Sequence, residues 1–215
     1  MHWGGIFAMV ALSIVAIFIL INSNRRYNKK AKEEKKDDKI FSEIVTTDDK
    51  ERAWALLKGH VEGNIFTELE FVEGAYTDFL EGFINEDRRT LTKLYRTIRN
   101  EKEFFKTKRR KEITGLKKID TVVAVQAGTW LHIATNNTSQ LIYSLRRVLE
   151  PCKDHIDNNF NPLPQECIEE LKPISSKLVD LIDKEKILVK SSVDVATHLK
   201  DISAYKKEVS AAMER

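Results

Sequence analysis

The chain has 215 residues, with 36 Lys or Arg and 33 Asp or Glu, and its formal net charge at pH 7 is only +3. Most of this excess lies in one N-terminal cluster, so the remainder is nearly neutral and lacks the basic surface typical of nucleic-acid-binding proteins. We therefore expect no nucleic-acid partner. Cys152 and Cys167 are the only cysteines, and the cytoplasmic location predicted below keeps them reduced.

An almost wholly apolar, uncharged segment covers residues 3–21. About nineteen residues at about 1.5 Å each nearly match the roughly 30 Å hydrocarbon core of a bilayer. A secretory signal peptide is the alternative, but His2 is the only polar side chain before the segment and no small-residue cleavage pattern follows it. We therefore predict a retained transmembrane helix within residues 1–24.

A dense run of basic residues follows, comprising Arg25, Arg26, Lys29, Lys30, Lys32, Lys35, Lys36 and Lys39. The positive-inside rule places this side in the cytoplasm, so the predicted location is the inner membrane with a cytoplasmic domain. Acidic residues alternate with the basic ones, so i,i+4 pairing on a solvated helix is expected, and contact with anionic lipids is the alternative. Residues 25–45 are interpreted as a charged juxtamembrane linker or helix.

The first helix predicted for the soluble part has apolar residues at steps of three and four: Trp54, Leu57, Val61, Ile65, Leu69, Val72, Tyr76, Phe79 and Phe83. Polar residues 46–50 supply its N-cap. Gly59, Gly63, Gly74 and Gly82 each cost about 1 kcal/mol relative to alanine inside a helix. We interpret them as contact points for another helix, with a kink near residues 59–63 as the alternative.

Residues 85–87 end this series and can cap a second helix, which carries Leu91, Leu94, Ile98, Phe104 and Phe105. Its basic patch, residues 106–111, suits the negative end of a helix dipole, and Gly115 follows as a stop signal. We interpret the patch as a solvated helix end. A site for phosphate or an acidic partner is the alternative.

A third helix is predicted from about residue 118 to 149. Its apolar stripe consists of Trp130, Ala134, Leu141, Leu145 and Val148, and His132, Asn136 and Gln140 form a polar seam on a second face. These seam residues either hydrogen-bond to a neighbouring helix or point into water. Pro151 is predicted to end the helix.

The polar, proline-bounded residues 153–164 favour a turn, after which Gln165 can begin a new helix. Apolar periodicity then continues to Val209, either as one helix or as a pair broken at Asp183-Lys184-Glu185. Long helices without strand-period segments predict an all-α fold, with residues 46–215 forming an antiparallel helical bundle.

Three long phrases carry a resemblance to a known family: TWLHIATNNTSQLIYSLRRVLEPCKDHIDNNFNPL, NIFTELEFVEGAYTDFLEGFINEDRRTL and RRKEITGLKKID. They resemble the cytoplasmic C-terminal region of the bacterial sodium/phosphate cotransporters, a region similar to the phosphate-signalling protein PhoU. The resemblance implies a PhoU-like bundle that couples phosphate status to uptake. It also implies that the apolar segment is the last span of a transporter, with Met1 an internal or truncated start. Its implied partners are the membrane, the transporter's transmembrane domain and phosphate-signalling proteins.

A metal site is the main candidate for chemistry. Glu150 and Asp154 match the acidic-x-x-x-acidic spacing similar to the metal-binding motif of PhoU-like proteins, and His155 follows them. Such a pair on one helix face could hold a divalent metal or iron. Pro151 inside the motif departs from the family pattern, and the first helix has no clean matching copy. No cofactor is required by this reading.

No catalytic motif accompanies these residues, since the chain has no Gly-rich phosphate loop, no G-x-S-x-G and no H-E-x-x-H. We therefore expect no enzymatic activity. A single helix cannot form an alternating-access pathway, so these residues alone should not transport anything. The alternative function is a single-span, membrane-anchored helical adaptor, with a metal-binding variant of the same architecture.

Overall fold

The computed structural model describes residues 35–190 and 195–213, and all regular secondary structure within them is helical. The helices are residues 35–46 (α1), Lys50–Ile84 (α2), Arg88–Leu116 (α3), Thr121–Asp157 (α4), Gln165–Lys190 (α5) and Val195–Met213 (α6). The all-α prediction is therefore confirmed for this part of the chain. The described helices include none with the length and apolarity of a membrane span, and the transmembrane helix predicted within residues 1–24 lies outside the described residues.

Aspartate side chains begin three of the helices. Asp49 accepts hydrogen bonds from the backbone N–H groups two and three residues further on, at 3.0 and 3.1 Å. Asp87 accepts the equivalent bonds from the N–H groups of Arg89 and Thr90, both at 3.0 Å. Asp120 accepts one bond, from the N–H group of Val122, at 2.9 Å. Each carboxylate satisfies N–H groups that have no partner inside the helix and adds favourable charge at the positive end of its dipole. The caps predicted within residues 46–50 and 85–87 are thus present.

Helices α2, α3 and α4 pack against one another, joined by connections of only three and four residues. Helix α5 packs on α2, and α6 packs back along α5. The Tyr205 hydroxyl donates to the Ile174 carbonyl at 3.4 Å, and Lys177 forms an ion pair with Glu208. The C-terminal periodicity is therefore a helix pair, and Asp183-Lys184-Glu185 lies inside α5 rather than at the break.

Two apolar clusters lie at opposite ends of the three-helix unit. The first contains Leu69, Val72, Phe79, Leu91, Ile98, Ile142 and Leu149, together with Ile182 from α5. The second contains Ile44 from α1, with Leu57, Val61, Ile119, Ala127 and Leu131. Between them, at the same level of α2, α3 and α4, each helix turns polar side chains inward. We call this set the polar layer: Asp37, His60, Asn64, Glu68, Lys108, Glu112, Thr135 and Thr138.

The prediction that Pro151 ends the third helix is wrong, since α4 continues through it to Asp157. Proline lacks the N–H group and crowds the preceding turn, which normally stops a helix. Leu149 and Ile156, on either side of Pro151, are both buried in the larger apolar cluster, whereas Pro151 itself is exposed. Burial of this continuous face outweighs the local preference for a break.

The stripe predicted for α4 also differs from the buried face. Leu145 is buried, and Trp130 and Ala134 are half-buried, but Leu141 and Val148 are exposed. The buried face consists of Ala127, Leu131, Thr135, Thr138, Ile142, Leu145, Leu149 and Ile156. The seam of His132, Asn136 and Gln140 is exposed. At His132 it also contacts a neighbouring helix, since Arg109 Nη2 of α3 lies 3.4 Å from His132 Nδ1.

The interpretation of the four glycines of α2 as contact points for another helix is correct at one position. A Cβ atom added at Gly82 would lie 3.1 Å from Leu91 Cδ2, so α2 and α3 approach closely there. Gly59, Gly63 and Gly74 have no such neighbour within 4 Å, and the contact interpretation is wrong for them. Their faces of α2 border open grooves instead.

Candidate functional site

The polar layer draws on residues spaced four apart, which lie on one face of a helix. Helix α2 contributes His60, Asn64 and Glu68, and α3 contributes Lys108 and Glu112. The interpretation of the basic patch as a solvated helix end is wrong for Lys108, which is buried, and Glu112 is only 2% exposed. Ionisable groups at such positions need partners, because burial of an unpaired charge is strongly unfavourable.

Asn64 supplies partners to both sides of the layer. Its Oδ1 accepts a hydrogen bond from Lys108 Nζ at 2.9 Å, and its Nδ2 donates to Glu112 Oε1 at 2.6 Å. The same Nδ2 lies 2.9 Å from His60 Nε2. One amide therefore joins a cation, a carboxylate and an imidazole, with its donor and acceptor both engaged.

His60 is held in its neutral form. Burial lowers its pKa, and the nearby charges of Lys108 and Lys111 act in the same direction, while Asp37 opposes them. Because the Asn64 amide donates to Nε2, the imidazole hydrogen is assigned to Nδ1, which lies 3.8 Å from Asp37 Oδ1.

Burial raises the pKa of both glutamates of the polar layer. Burial raises the pKa of Glu68 to about 7, and the Thr138 hydroxyl partly offsets this effect. Burial also raises the pKa of Glu112, against the stabilising hydrogen bond from Asn64. Glu68 Oε2 has no hydrogen-bond partner among the described residues. An unpaired oxygen of this kind is much less costly when its carboxyl group carries a proton.

A small cavity adjoins these carboxyl groups. Its volume is about 10 Å³, and its polar lining includes Glu68, Glu112, Thr135, Thr138 and Ser139. A polar space of this size matches a single water molecule, which could bridge buried carboxyl and hydroxyl groups. Because its pKa is about 7, Glu68 changes its charge near neutral pH.

Helix α1 closes one side of the layer. Asp37 Oδ2 lies 3.8 Å from Lys108 Nζ, and Asp38 Oδ1 accepts a hydrogen bond from Lys111 at 2.6 Å. The Phe41 ring packs edge-on against His60 at 4.9 Å between centroids. An open groove of about 450 Å³ runs between α1 and α2 along Gly59 and Gly63, and the edge of the layer borders it.

Two residues of the predicted metal site, Glu150 and His155, have other partners. Glu150 Oε1 accepts from Arg146 Nη2 at 2.7 Å and from the Tyr95 hydroxyl at 3.2 Å. The Arg146 hydrogen bond lowers the Glu150 pKa. Asp154, one turn further along α4, is exposed.

His155 helps to close the turn after α4. Its Nε2 lies 2.9 Å from the Asn161 carbonyl oxygen, and its ring packs edge-on against Phe83 and Phe160. Arg88 holds the same turn, since its Nη2 donates to the Ile156 carbonyl at 2.8 Å and to Asn159 Oδ1 at 3.0 Å. The polar residues between α4 and α5 are thus explained by the contacts that form this turn.

Residues 35–190 and 195–213 contain no group of three or more His, Cys, Asp or Glu side chains placed to hold one metal ion. Glu150, Asp154 and His155 are therefore not brought together as a ligand set there, and the metal site stays a prediction. It can be tested by comparing the metal content of the purified parent with that of the double variant Glu150→Ala with Asp154→Ala.

Comparison with known proteins yields no match: no family, no curated protein and no solved structure is detectably similar to this chain. The resemblance of the three sequence phrases therefore has no support beyond those phrases themselves.

Proposed function

We propose that this chain is a cytoplasmic, PhoU-like regulatory bundle of a sodium-dependent phosphate transporter, attached to the membrane through residues 1–24, and that it couples phosphate status to uptake. Support comes from the family phrases, which cover roughly residues 60–165, and from the all-α architecture of long helices that such a domain would have. The membrane and the transporter's transmembrane domain are the partners in this proposal.

The observation that carries the proposal is the attachment of α1 to the polar layer. Helix α1 is the first described helix after the apolar N-terminal segment in the sequence, and its Asp37 faces both His60 and Lys108. Ile44 of the same helix is fully buried in the second apolar cluster. A change in the charge of the layer therefore alters how firmly α1 is held, which is a physical route from the bundle towards the membrane.

The size of the native polypeptide tests the identity of the assembly. A tag after Arg215 would be detected in membranes of the source cell, where the chain alone has a mass of 24.8 kDa. A much larger band is the expected result, because the chain would then be the tail of a multi-span transporter. A band at the chain's own mass would contradict the proposal.

Phosphate uptake tests the coupling. Asp37→Asn removes the charge that faces His60 and Lys108, and we expect it to change how uptake responds to phosphate starvation. Asp48→Asn is the matched control, because Asp48 is exposed in the connection before α2. If both variants respond to starvation as the parent does, the polar layer has no role in regulation.

A free-standing, single-span adaptor protein is the second candidate, and the outward face of α4 favours it. That face exposes Val122 at 73% and Ile133 at 54%, values that suit a surface covered by another protein. A native band at the chain's own mass, together with unchanged phosphate uptake in a deletion strain, would favour the adaptor.

A further inference from the structure

A groove between α2 and α3 is left open by the described helices. It encloses a volume of about 640 Å³ and begins near Glu70 on α2 and Thr97 on α3. Its floor is apolar, since Ala75 and Leu94 are buried and Phe71 is half-buried. An apolar floor of this kind is a surface that a further segment of protein can cover.

Helix α1 occupies the neighbouring part of the same groove. Its Asp37 lies 3.8 Å from both His60 of α2 and Lys108 of α3. Phe71 follows His60 by eleven residues on α2, and Thr97 precedes Lys108 by eleven on α3. Eleven residues are about three helical turns, so the members of each pair share a face of their helix. The open groove therefore continues the one in which α1 lies.

The N-terminal end of α1 is directed towards the open groove. Glu43 forms an ion pair with Arg52, near the start of α2, whereas Asp37 lies beside His60. The contacts of α1 thus move along α2, from Arg52 to His60, as α1 is followed backwards from Glu43. The same direction leads next to Glu70, at the near end of the open groove.

The lining of the open groove is acidic. The described residues that line it include Glu70, Asp78, Glu81 and Asp87 and one basic residue, Lys93, which gives a formal charge of −3. Glu70, Asp78 and Glu81 are exposed, and none of their side chains has a hydrogen bond or an ion pair within residues 35–190 and 195–213. These three carboxylates are therefore available to a basic partner.

The residues that directly precede α1 are strongly basic. Residues 25–32 contain five Lys or Arg and no acidic residue, and Glu33 and Glu34 follow. Residues 25–34 thus have a formal charge of +3, which complements the −3 of the groove. Charge complementarity of this kind favours association and fixes its register.

The length of this segment matches the distance that it has to cover. Twelve residues separate Arg25 from Asp37, which is about 18 Å in a helix and about 40 Å in an extended chain. Glu70 and Asp78 lie about 15 and 27 Å beyond His60 along α2. Basic side chains of the segment would therefore reach Glu70 in a helix, and Asp78 as well if part of the segment is extended.

We infer that residues 25–34 dock in the open groove of the same chain, with their basic side chains against Glu70, Asp78 and Glu81. This contact extends the one that α1 makes with α2 and α3. While docked, the basic side chains are withdrawn from anionic lipid head groups, which attract juxtamembrane basic clusters. The docking applies to a transporter tail and to a single-span adaptor alike, so it does not depend on the proposed function.

Zero-length cross-linking of the unaltered chain tests the contact. A carbodiimide joins a lysine amine only to a carboxylate that it touches, and mass spectrometry identifies the pair. The full chain is prepared in a non-ionic detergent as an equal mixture of unlabelled and ¹⁵N-labelled protein. We expect the lysines of residues 29–32 to couple to Glu70 or Asp78 at least tenfold more often than to Glu170, which is exposed on α5, and within one isotopic form.

Both other results of this experiment would overturn the proposal. Coupling to Glu70 and Asp78 no more frequent than to Glu170 would show that the segment does not lie in the groove. Coupled peptides of mixed isotopic form would show that the contact joins two copies of the chain.

Limited trypsin digestion provides an independent test, because docking shields the bonds after the basic residues. Glu70→Gln with Asp78→Asn should speed cleavage within residues 25–32 by roughly tenfold, since it removes weak ion pairs that hold the segment. Glu170→Gln with Asp180→Asn is the matched control, because both residues are exposed on α5 and the change in charge is the same. Thermal unfolding confirms that both variants are folded.

The same digestion in nanodiscs separates docking from lipid contact. Protection in pure phosphatidylcholine that Glu70→Gln with Asp78→Asn abolishes supports the docking. Protection that requires phosphatidylserine, and that the groove variant retains, would overturn the docking in favour of a lipid surface. Equal cleavage rates in the parent, the groove variant and the control would overturn it as well.

Discussion

Asn64 Oδ1 accepts a hydrogen bond from Lys108 Nζ at 2.9 Å, and this contact ties the middle of α2 to the middle of α3. The same side chain donates to Glu112 at 2.6 Å. A neutral amide thus satisfies a buried cation and a buried carboxylate that do not form a direct pair with each other in the described structure. Asn64 therefore supplies the short hydrogen bonds of the polar layer, beside the longer contacts of Asp37 with His60 and Lys108.

Asn64→Ala should destabilise the chain by about 2 kcal/mol, because it removes the hydrogen bonds to the buried Lys108 and Glu112. These two groups then keep only longer contacts, of Lys108 with Asp37 at 3.8 Å and of Glu112 with His60 at 3.7 Å. The free energy of unfolding from urea titration measures the loss. Asn100→Ala is the control, since Asn100 is exposed on α3 and the substitution changes helix propensity in the same way. Equal losses in the two variants would show that the bridge contributes nothing beyond propensity.

Glu68 should make stability fall as the pH rises. Its pKa is about 7 in the folded chain against an ordinary value of 4.5 for glutamate, so between these pH values the folded state binds the extra proton. Its contribution is fully present below pH 4.5 and is lost as the pH rises through about 7. The raised pKa of Glu112 also makes stability fall as the pH rises. The lowered pKa of His60 has the opposite effect, because it makes stability fall as the pH drops below about 6.5.

Glu68→Gln should therefore be more stable than the parent at pH 8, by an amount on the order of 2–3 kcal/mol, and close to it at pH 5. Thermal unfolding at both pH values measures the difference. Glu70→Gln, at an exposed position of α2, should leave the pH profile of the parent unchanged. Parallel profiles for Glu68→Gln and the parent would refute the buried, protonated glutamate.

Trp130→Ala should cost about 2–4 kcal/mol, as large-to-small changes in a packed cluster do. The Trp130 ring packs edge-on against Trp54 at 6.1 Å between centroids, within the second apolar cluster. A double-mutant cycle with Trp54→Ala should give a coupling of roughly 1 kcal/mol. An unchanged melting temperature for Trp130→Ala would show that Trp130 does not contribute to the core.

Arg88→Lys should loosen the turn between α4 and α5, since an ammonium group cannot reproduce the fork that contacts Ile156 and Asn159. We expect a stability loss of about 1–3 kcal/mol and faster amide exchange in residues 156–161. Arg89→Lys, at the neighbouring exposed position, serves as the control. Unaltered exchange in the turn would contradict the role assigned to Arg88.

Local patterns were enough to predict α2 and the starts of α3, α4 and α5, but not the end of α4 or the boundary between α5 and α6. The apolar steps from Trp54 to Phe83 predicted α2, and the polar residues around Asp49 and Asp87 predicted its start and that of α3. Such signals are local, since caps and periodicity depend on residues within one or two turns. The stop predicted at Pro151 failed because burial of Leu149 and Ile156 in the tertiary structure outweighs a local penalty.

These local patterns could not predict the candidate site. His60, Asn64 and Glu68 on α2 and His132, Asn136 and Gln140 on α4 share one spacing, and periodicity cannot distinguish them. The α2 set lies inside the bundle, whereas the α4 set lies on the exposed surface. Which face a helix buries depends on the neighbours that pack on it, and those neighbours lie far away in the sequence.

The sequence by itself therefore determined the all-α class, the position of most helix starts and the near-neutral balance of charge, because each follows from composition or from short-range spacing. Only the tertiary structure decided that Lys108 is buried, that Asp37 closes the polar layer and that α4 exposes an uncharged face. These properties depend on how the helices pack. The energy of a charged or polar side chain is set mainly by its burial and its partners, which the local sequence does not specify.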